Sequence, residues 1–145
     1  MIRRGSTAVL VTALLVTGCG VRPGGVVVGG PAPTVASAVV LYLVAGGRVT
    51  PVPRPSETTD ALTLLAAGPT AAERERGLTT EVPAGAVFDG IVFDGHLADV
   101  TVSVDVTTLS PNAFDQIVCT ASPGSTPVTV VGGGQSRGPG TCPAF

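Results

Sequence analysis

The sequence predicts a small α+β domain, and three stretches carry that prediction. Residues 39–44, VVLYLV, form a continuous apolar run typical of a buried central strand. Residues 98–106 alternate apolar and polar side chains, as in a strand with one covered face. Residues 113–121 carry apolar side chains at helical spacing behind Ser110 and Pro111, which favour a helix start. We therefore expect one mostly antiparallel sheet of about four to five strands, with two main helices packed on one face.

The first half of the domain is predicted to be a hairpin followed by helices. Glycines 46–47 favour a turn into a second strand, and Pro51 and Pro53 place that strand at the sheet edge. An apolar stretch at 61–66 predicts a helix, which Ser56 or Thr59 would cap.

A second, shorter helix is predicted directly after the first. Gly68 and the proline behind it end the first helix, and Thr70 with Glu73 forms a capping box for the next. The four charged residues at 73–76 are interpreted as a solvated helical face with local ion pairs.

The second half supplies the remaining strands and the last helix. Residues 86–93 predict a strand with Phe88 and either Ile91 or Val92 toward the core, and a turn at 94–95 follows. Residues 127–131 predict the final strand, and the Gly-rich residues after them are expected to be irregular.

The chain begins like an exported lipoprotein. Arg3 and Arg4 precede an uncharged apolar stretch at 8–16, which is too short to span a bilayer but fits a signal peptide. Val16-Thr17-Gly18-Cys19 is similar to a bacterial lipobox. We expect residues 1–18 to be removed, Cys19 to be acylated, and 19–34 to be a flexible Gly- and Pro-rich linker. A plain secretory signal is the alternative.

The predicted location is therefore the extracytoplasmic side of the cell membrane, where lipid on Cys19 would hold the protein. All eight basic residues are Arg, and the chain has ten acidic residues. Loss of the signal would leave a formal charge of −4, which argues against nucleic acid as a partner. An envelope protein of unknown identity is the expected partner.

Cys119 and Cys142 are predicted to form a disulfide. Acylation of Cys19 would leave these two thiols in an exported protein, where disulfides persist. A metal site is the alternative, but no second His or Cys lies near either residue. A catalytic thiol is less well supported, because Cys119 has no basic neighbour in the sequence to lower its pKa.

No catalytic or metal-binding motif and no cofactor site is recognised. His96, the one His, lies beside the predicted turn at 94–95 and lacks the partners of a triad or a metal site. Non-enzymatic binding at the envelope is therefore the favoured function. An extracellular hydrolase or small-ligand-binding protein is the alternative, and a purely structural envelope role is a third.

The polar face of the alternating strand is a candidate interaction face. Asp99, Thr101, Ser103 and Asp105 are its members, and a basic partner would complement the carboxylates. An ordinary solvated sheet face is the other interpretation.

Two longer stretches resemble the GerMN family of sporulation and spore-germination proteins. LYLVAGGRVTPVPRP followed by ALTLLAAGPTAAERERGLTTEVP is similar to the first half of a GerMN domain, and VSVDVTTLSPNAFDQIVCTAS to the second. The resemblance implies a GerMN-like domain over residues 35–131, similar to ring-building motifs, and a cell-surface role in binding or assembly. Residues 132–145 would be a tail tied back by the disulfide. The resemblance carries no catalytic residues.

Overall fold

The structure is a computed structural model that describes residues 38–55, 60–122 and 124–143. The signal, Cys19 and the linker predicted for residues 1–34 lie outside the described residues, as do Ser56 and Thr59. Within the described ranges, no helix is long and apolar enough to cross a membrane.

The first sheet has three strands in the order β2–β1–β3. The predicted hairpin is present: β1 (Ala38–Ala45) turns at glycines 46–47 into the antiparallel β2 (Arg48–Pro55). On the other side of β1, β3 (Leu78–Thr79) pairs only with the last two residues of that strand. β2 therefore lies at the edge of the sheet, as its prolines predict.

Helix α1 (Ala61–Ala67) follows the first hairpin. Its cap is Asp60 and not the predicted Ser56 or Thr59, because the Asp60 carboxylate accepts the backbone N–H of Thr63 at 3.2 Å. A side-chain acceptor at this position satisfies one of the free N–H groups of the first turn.

Helix α2 (Ala71–Glu75) begins with the predicted capping box. The Thr70 hydroxyl accepts the N–H of Glu73 at 3.2 Å, and the Thr70 N–H donates to the Glu73 carboxylate at 2.7 Å. Arg54 of β2 donates to the same carboxylate from Nε at 2.9 Å and from Nη2, and Nη2 also donates to the Gly68 carbonyl at 2.9 Å. The predicted solvated face is therefore wrong at Glu73, which is only 4% exposed.

The second sheet has four strands in the order β4–β5–β6–β7. β4 (Phe88–Phe93) is antiparallel to β5 (Ala98–Val102), β6 (Val128–Gly132) is parallel to β5, and β7 (Gln135–Gly140) is antiparallel to β6. The α+β class and the mostly antiparallel pairing are confirmed. The strands of the described residues form two sheets, however, where one was expected.

The alternating pattern at 98–106 extends beyond the strand that it predicts. β5 ends at Val102, and a 3-10 turn at Val106–Thr108 follows. Asp105 caps this turn by accepting the N–H of Thr107 at 2.8 Å. Val106 is still buried, so the apolar positions reach the core although the backbone leaves the sheet.

Helix α3 (Pro111–Ala121) joins the two sheets through one core. Its predicted cap is present, since the Ser110 hydroxyl accepts the N–H of Ala113 at 3.0 Å. The helix contacts β1 and β2 of the first sheet and β6 of the second. The shared core includes Leu43, Leu65, Val100, Ile117, Val118 and Val130.

β7 lies in residues that were expected to be irregular. Its small residues let it pack closely on α3, since a Cβ added at Gly140 would come within 2.7 Å of the Phe114 ring. The Arg137 guanidinium lies 4.5 Å from the centre of the same ring and donates to the Leu109 carbonyl at 2.5 Å. Pairing with β6 and contact with Phe114 therefore hold a strand that the Gly-rich sequence does not predict.

The structure contains the disulfide between Cys119 and Cys142. It joins α3 to the segment after β7, with a Cα–Cα distance of 4.7 Å. Cys119 is fully buried in a small cluster with Tyr42 and Val49 of the first sheet. The bridge therefore fastens the end of the second sheet to the helix that contacts the first.

Ionisation of Glu73 makes the stability depend on pH. Hydrogen bonding from Arg54 lowers the pKa of the Glu73 carboxyl from 4.5 to about 2, while burial acts in the opposite direction. The unfolded chain binds this proton more readily, so the charged carboxylate stabilises the fold above the unfolded pKa of 4.5. That stabilisation is lost as the pH falls toward about 2.

Glu73→Gln should lower the free energy of unfolding at neutral pH by about 3 kcal/mol, because the partly buried Arg54 loses its counter-charge. Glu75→Gln, at an exposed carboxylate of the same helix, should change it by less than about 0.5 kcal/mol. Urea unfolding measures both, and the deficit of Glu73→Gln should shrink at about pH 3. An equal deficit at neutral and acidic pH would contradict the role assigned to the ion pair.

Mass spectrometry should find the disulfide in protein purified from its native cells without a reductant. Trypsin cleaves after Arg76 and Arg137, so it should release peptides 77–137 and 138–145 joined to each other and separable by reduction. Reduction should also lower the stability by about 3 kcal/mol on the chain-entropy account. Two alkylatable thiols in the unreduced protein would refute the bridge.

Candidate functional site

His96 lies in the exposed turn between β4 and β5. Its backbone N–H and that of Leu97 donate to the Asp94 carboxylate at 2.9 and 2.8 Å, and these bonds lower the pKa of Asp94. Asp94 thus shapes the turn. Across the described ranges, no group of three or more His, Cys, Asp or Glu residues could hold a metal ion.

The structure divides the predicted interaction face. Asp99 and Thr101 lie exposed on β5, on the face that turns away from the core. Ser103 and Asp105 lie beyond the end of the strand, where the Ser103 hydroxyl accepts the N–H of Val87 at 3.0 Å. Asp105 is engaged as the cap of the 3-10 turn. Asp99 and Thr101 therefore share a sheet face, whereas Ser103 and Asp105 hold the backbone of the segment that follows β5.

β4 is exposed where the sequence predicts burial. The prediction for Phe88 is confirmed, because this side chain packs against the core. Ile91 is 42% exposed, Val92 69% and Phe93 61%, so the expected burial of Ile91 or Val92 is wrong. The fully buried apolar side chains of the second sheet belong to β5 and β6, and β4 contributes only the partly buried Phe88 to the core. An apolar run alone does not reveal whether a strand lies inside the core or at its margin.

The backbone of β4 has hydrogen-bonding groups that point away from the sheet. Residues of an antiparallel pair alternate between bonding their partner and facing away from it. The Asp94 N–H donates to the Leu97 carbonyl at 3.1 Å, which fixes the phase of the ladder. Val92 lies two residues before Asp94, so its backbone groups also point toward β5. Ile91 and Phe93 occupy the alternate positions, and their N–H and C=O groups therefore point toward the free edge.

The other long sheet edges in the described residues carry proline. In β2, Pro51, Pro53 and Pro55 occupy alternate positions, and β7 contains Pro139. Proline removes a donor and discourages the pairing of a further strand. β4 has no proline, and its free edge includes the apolar stretch 91–93.

The surroundings of β4 are acidic. Asp89 lies at a bulge in β4, Asp94 follows the strand directly, and Asp99 is opposite Val92 on β5. From residue 77 to 136 the chain has no Lys or Arg, and its acidic residues there are Glu81, Asp89, Asp94, Asp99, Asp105 and Asp115. The β4 edge therefore combines an apolar centre with negative flanks.

A separate cleft lies beside the first hairpin. It has a volume of about 580 Å³ and is lined by residues 47–51 with Asn112, Asp115 and Pro143. Burial raises the pKa of Asp115, and the charge of Arg137 opposes that shift. Asn112 donates to the Glu81 carboxylate at 2.7 Å. Asp115 is the one carboxylate among the lining residues, so the cleft lacks the carboxylate pair of a glycosidase.

Solved structures similar to this chain are GerMN domains. The first GerMN domain of the sporulation protein GerM from Bacillus subtilis aligns with a TM-score of 0.54 and 15% identity, covering 70% of this chain and 86% of that one. The tandem GerMN domains of the same protein align with a TM-score of 0.52 and 18% identity, covering 74% and 43%. These likenesses show the fold.

Family membership follows from the sequence match. No curated protein matches the chain significantly. Residues 33–137 match the family Germane, described as sporulation and spore germination, and this stretch includes both sheets and all three helices of the described residues except the end of β7. The chain therefore belongs to the Germane family and carries a GerMN domain.

Proposed function

We propose that this protein is a lipid-anchored GerMN-domain lipoprotein on the extracytoplasmic side of the cell membrane, where it acts as a non-enzymatic binding or assembly module. The exposed edge strand β4, which among the described residues pairs only with β5, is the observation that carries the binding role. Apolar side chains grouped on a soluble surface mark interaction sites more often than isolated ones do.

The sequence supports the anchor. A basic start, a short apolar stretch and Val16-Thr17-Gly18-Cys19 follow one another in the order that a lipoprotein signal requires. Several acyl chains on Cys19 would hold the protein firmly, because each buried CH₂ contributes about 0.8 kcal/mol. The linker at 19–34 would separate the domain from the membrane surface.

The absence of enzymatic activity is supported by the chemistry of the described residues. The hydrogen bond between His96 and Asp94 uses the backbone N–H of His96, and Cys119 and Cys142 are joined in the disulfide. The Germane family is not known as an enzyme family.

Binding of a small ligand is a second candidate, which the cleft at Asp115 favours. Its volume falls within the range of ligand pockets, and Asn112 and Arg48 supply polar groups at its wall. The two candidates use different surfaces. Asp115→Asn would weaken a ligand held in the cleft, whereas changes in β4 would weaken a bound polypeptide.

Cys19→Ala should abolish membrane anchoring, because no thiol remains to be acylated. The variant should remain uncleaved or appear in the soluble fraction, while the wild-type protein partitions into detergent without residues 1–18. Cys142→Ser is the matched control, since it removes a cysteine and leaves Cys19 in place. A Cys19→Ala protein that loses residues 1–18 and still partitions with lipid would contradict the proposed anchor.

A further inference from the structure

We propose that the free edge of β4 binds an extended segment of another polypeptide, apolar at its centre and flanked by Lys or Arg, as a fifth strand of the second sheet. This proposal rests on the proposed binding function and names the surface and the chemistry of the partner.

The backbone of β4 supplies the first argument. Ile91 and Phe93 present their N–H and C=O groups at the open edge, whereas Val92 between them directs its own toward β5. The sheet already holds this part of β4 in an extended conformation, so its donors and acceptors are placed to pair with an incoming strand. The proline-bearing edges of β2 and β7 lack this continuity.

The side chains of β4 supply the second argument. Ile91 and Phe93 share a face with buried residues of β5, whereas Val92 lies on the opposite face with Asp99. A strand that is apolar on both faces is typical of the interior of a sheet. Here it lies at an edge, and an added strand would cover exposed apolar area on both faces.

Charge selects the partner. Asp89, Asp94 and Asp99 lie at or beside β4, and no Lys or Arg occurs between residues 77 and 136. A second copy of this chain, paired edge to edge, would place two such groups of carboxylates together, which like-charge repulsion disfavours. Cationic flanks on a different polypeptide would complement the same carboxylates.

A phage-displayed library of random nonapeptides, selected on the full chain in mild detergent, tests the proposal. Enriched peptides should carry β-branched or aromatic residues at the centre and Lys or Arg at the flanks. The strongest sequence is then made as a labelled peptide, and its affinity is measured by fluorescence anisotropy.

Matched variants separate backbone, charge and general surface effects. Ile91→Pro removes an edge donor and should weaken binding about tenfold, whereas Ile91→Ala retains the donor and should weaken it less than about threefold. Asp89→Arg with Asp99→Arg should also weaken it about tenfold, and Glu75→Arg, on α2, should have no effect. Circular dichroism shows whether Ile91→Pro is folded; if it is not, the charge-reversed variant provides the test.

The contrary results are distinct. Failure to enrich peptides with cationic flanks, or binding indifferent to the folded β4 variants, would overturn the proposal. A dimer in sedimentation that Ile91→Pro dissociates would assign the edge to a second copy. Binding seen only after deletion of residues 20–34 would assign it to the chain's own linker. A partner that crosslinks at another surface would overturn this proposal and leave the general binding function intact.

Discussion

Two polar side chains of α3 form hydrogen bonds with the backbone of Tyr42 in the central strand β1. The Tyr42 N–H donates to the Thr120 hydroxyl at 3.1 Å, and the Gln116 amide donates to the Tyr42 carbonyl at 2.8 Å. The Gln116 oxygen also accepts the N–H of Glu81 at 2.9 Å. β3 is too short to cover this side of β1, and buried backbone groups are costly without partners. These bonds fix α3 against the first sheet, and the helix then packs on the second.

Local patterns predicted the elements, and distant contacts decided where those elements lie. The capping box at Thr70 and the cap at Ser110 depend on residues three positions apart, so the sequence shows them directly. Burial of Glu73 depends on Arg54, which is 19 positions away. The strand β7 depends on its pairing with β6 and on Phe114, because its Gly-rich sequence carries little strand propensity of its own.

The candidate site is the least predictable part for the same reason. The apolar run at 91–93 predicts a buried strand, and only the exposure of these three residues at the margin of the core reveals an open edge. The prolines of β2 did predict an edge, because a proline lacks the N–H donor that a further strand would need, and the sequence alone shows this. At 15–18% identity the GerM structures share the fold. The likeness therefore says nothing about the charges and the apolar stretch of the β4 edge, which are taken from the sequence and structure of this chain alone.

The central proposal is that the β4 edge is open in the isolated protein and that a partner covers it in the cell. Amide hydrogen exchange tests it with the wild-type chain. In detergent, the Ile91 and Phe93 amides should exchange rapidly, and the Val92 and Asp94 amides slowly, because only the latter pair bonds within the sheet. In native membranes of the producing cell, Ile91 and Phe93 should become protected. Equal, rapid exchange of these two amides in both preparations would contradict the account.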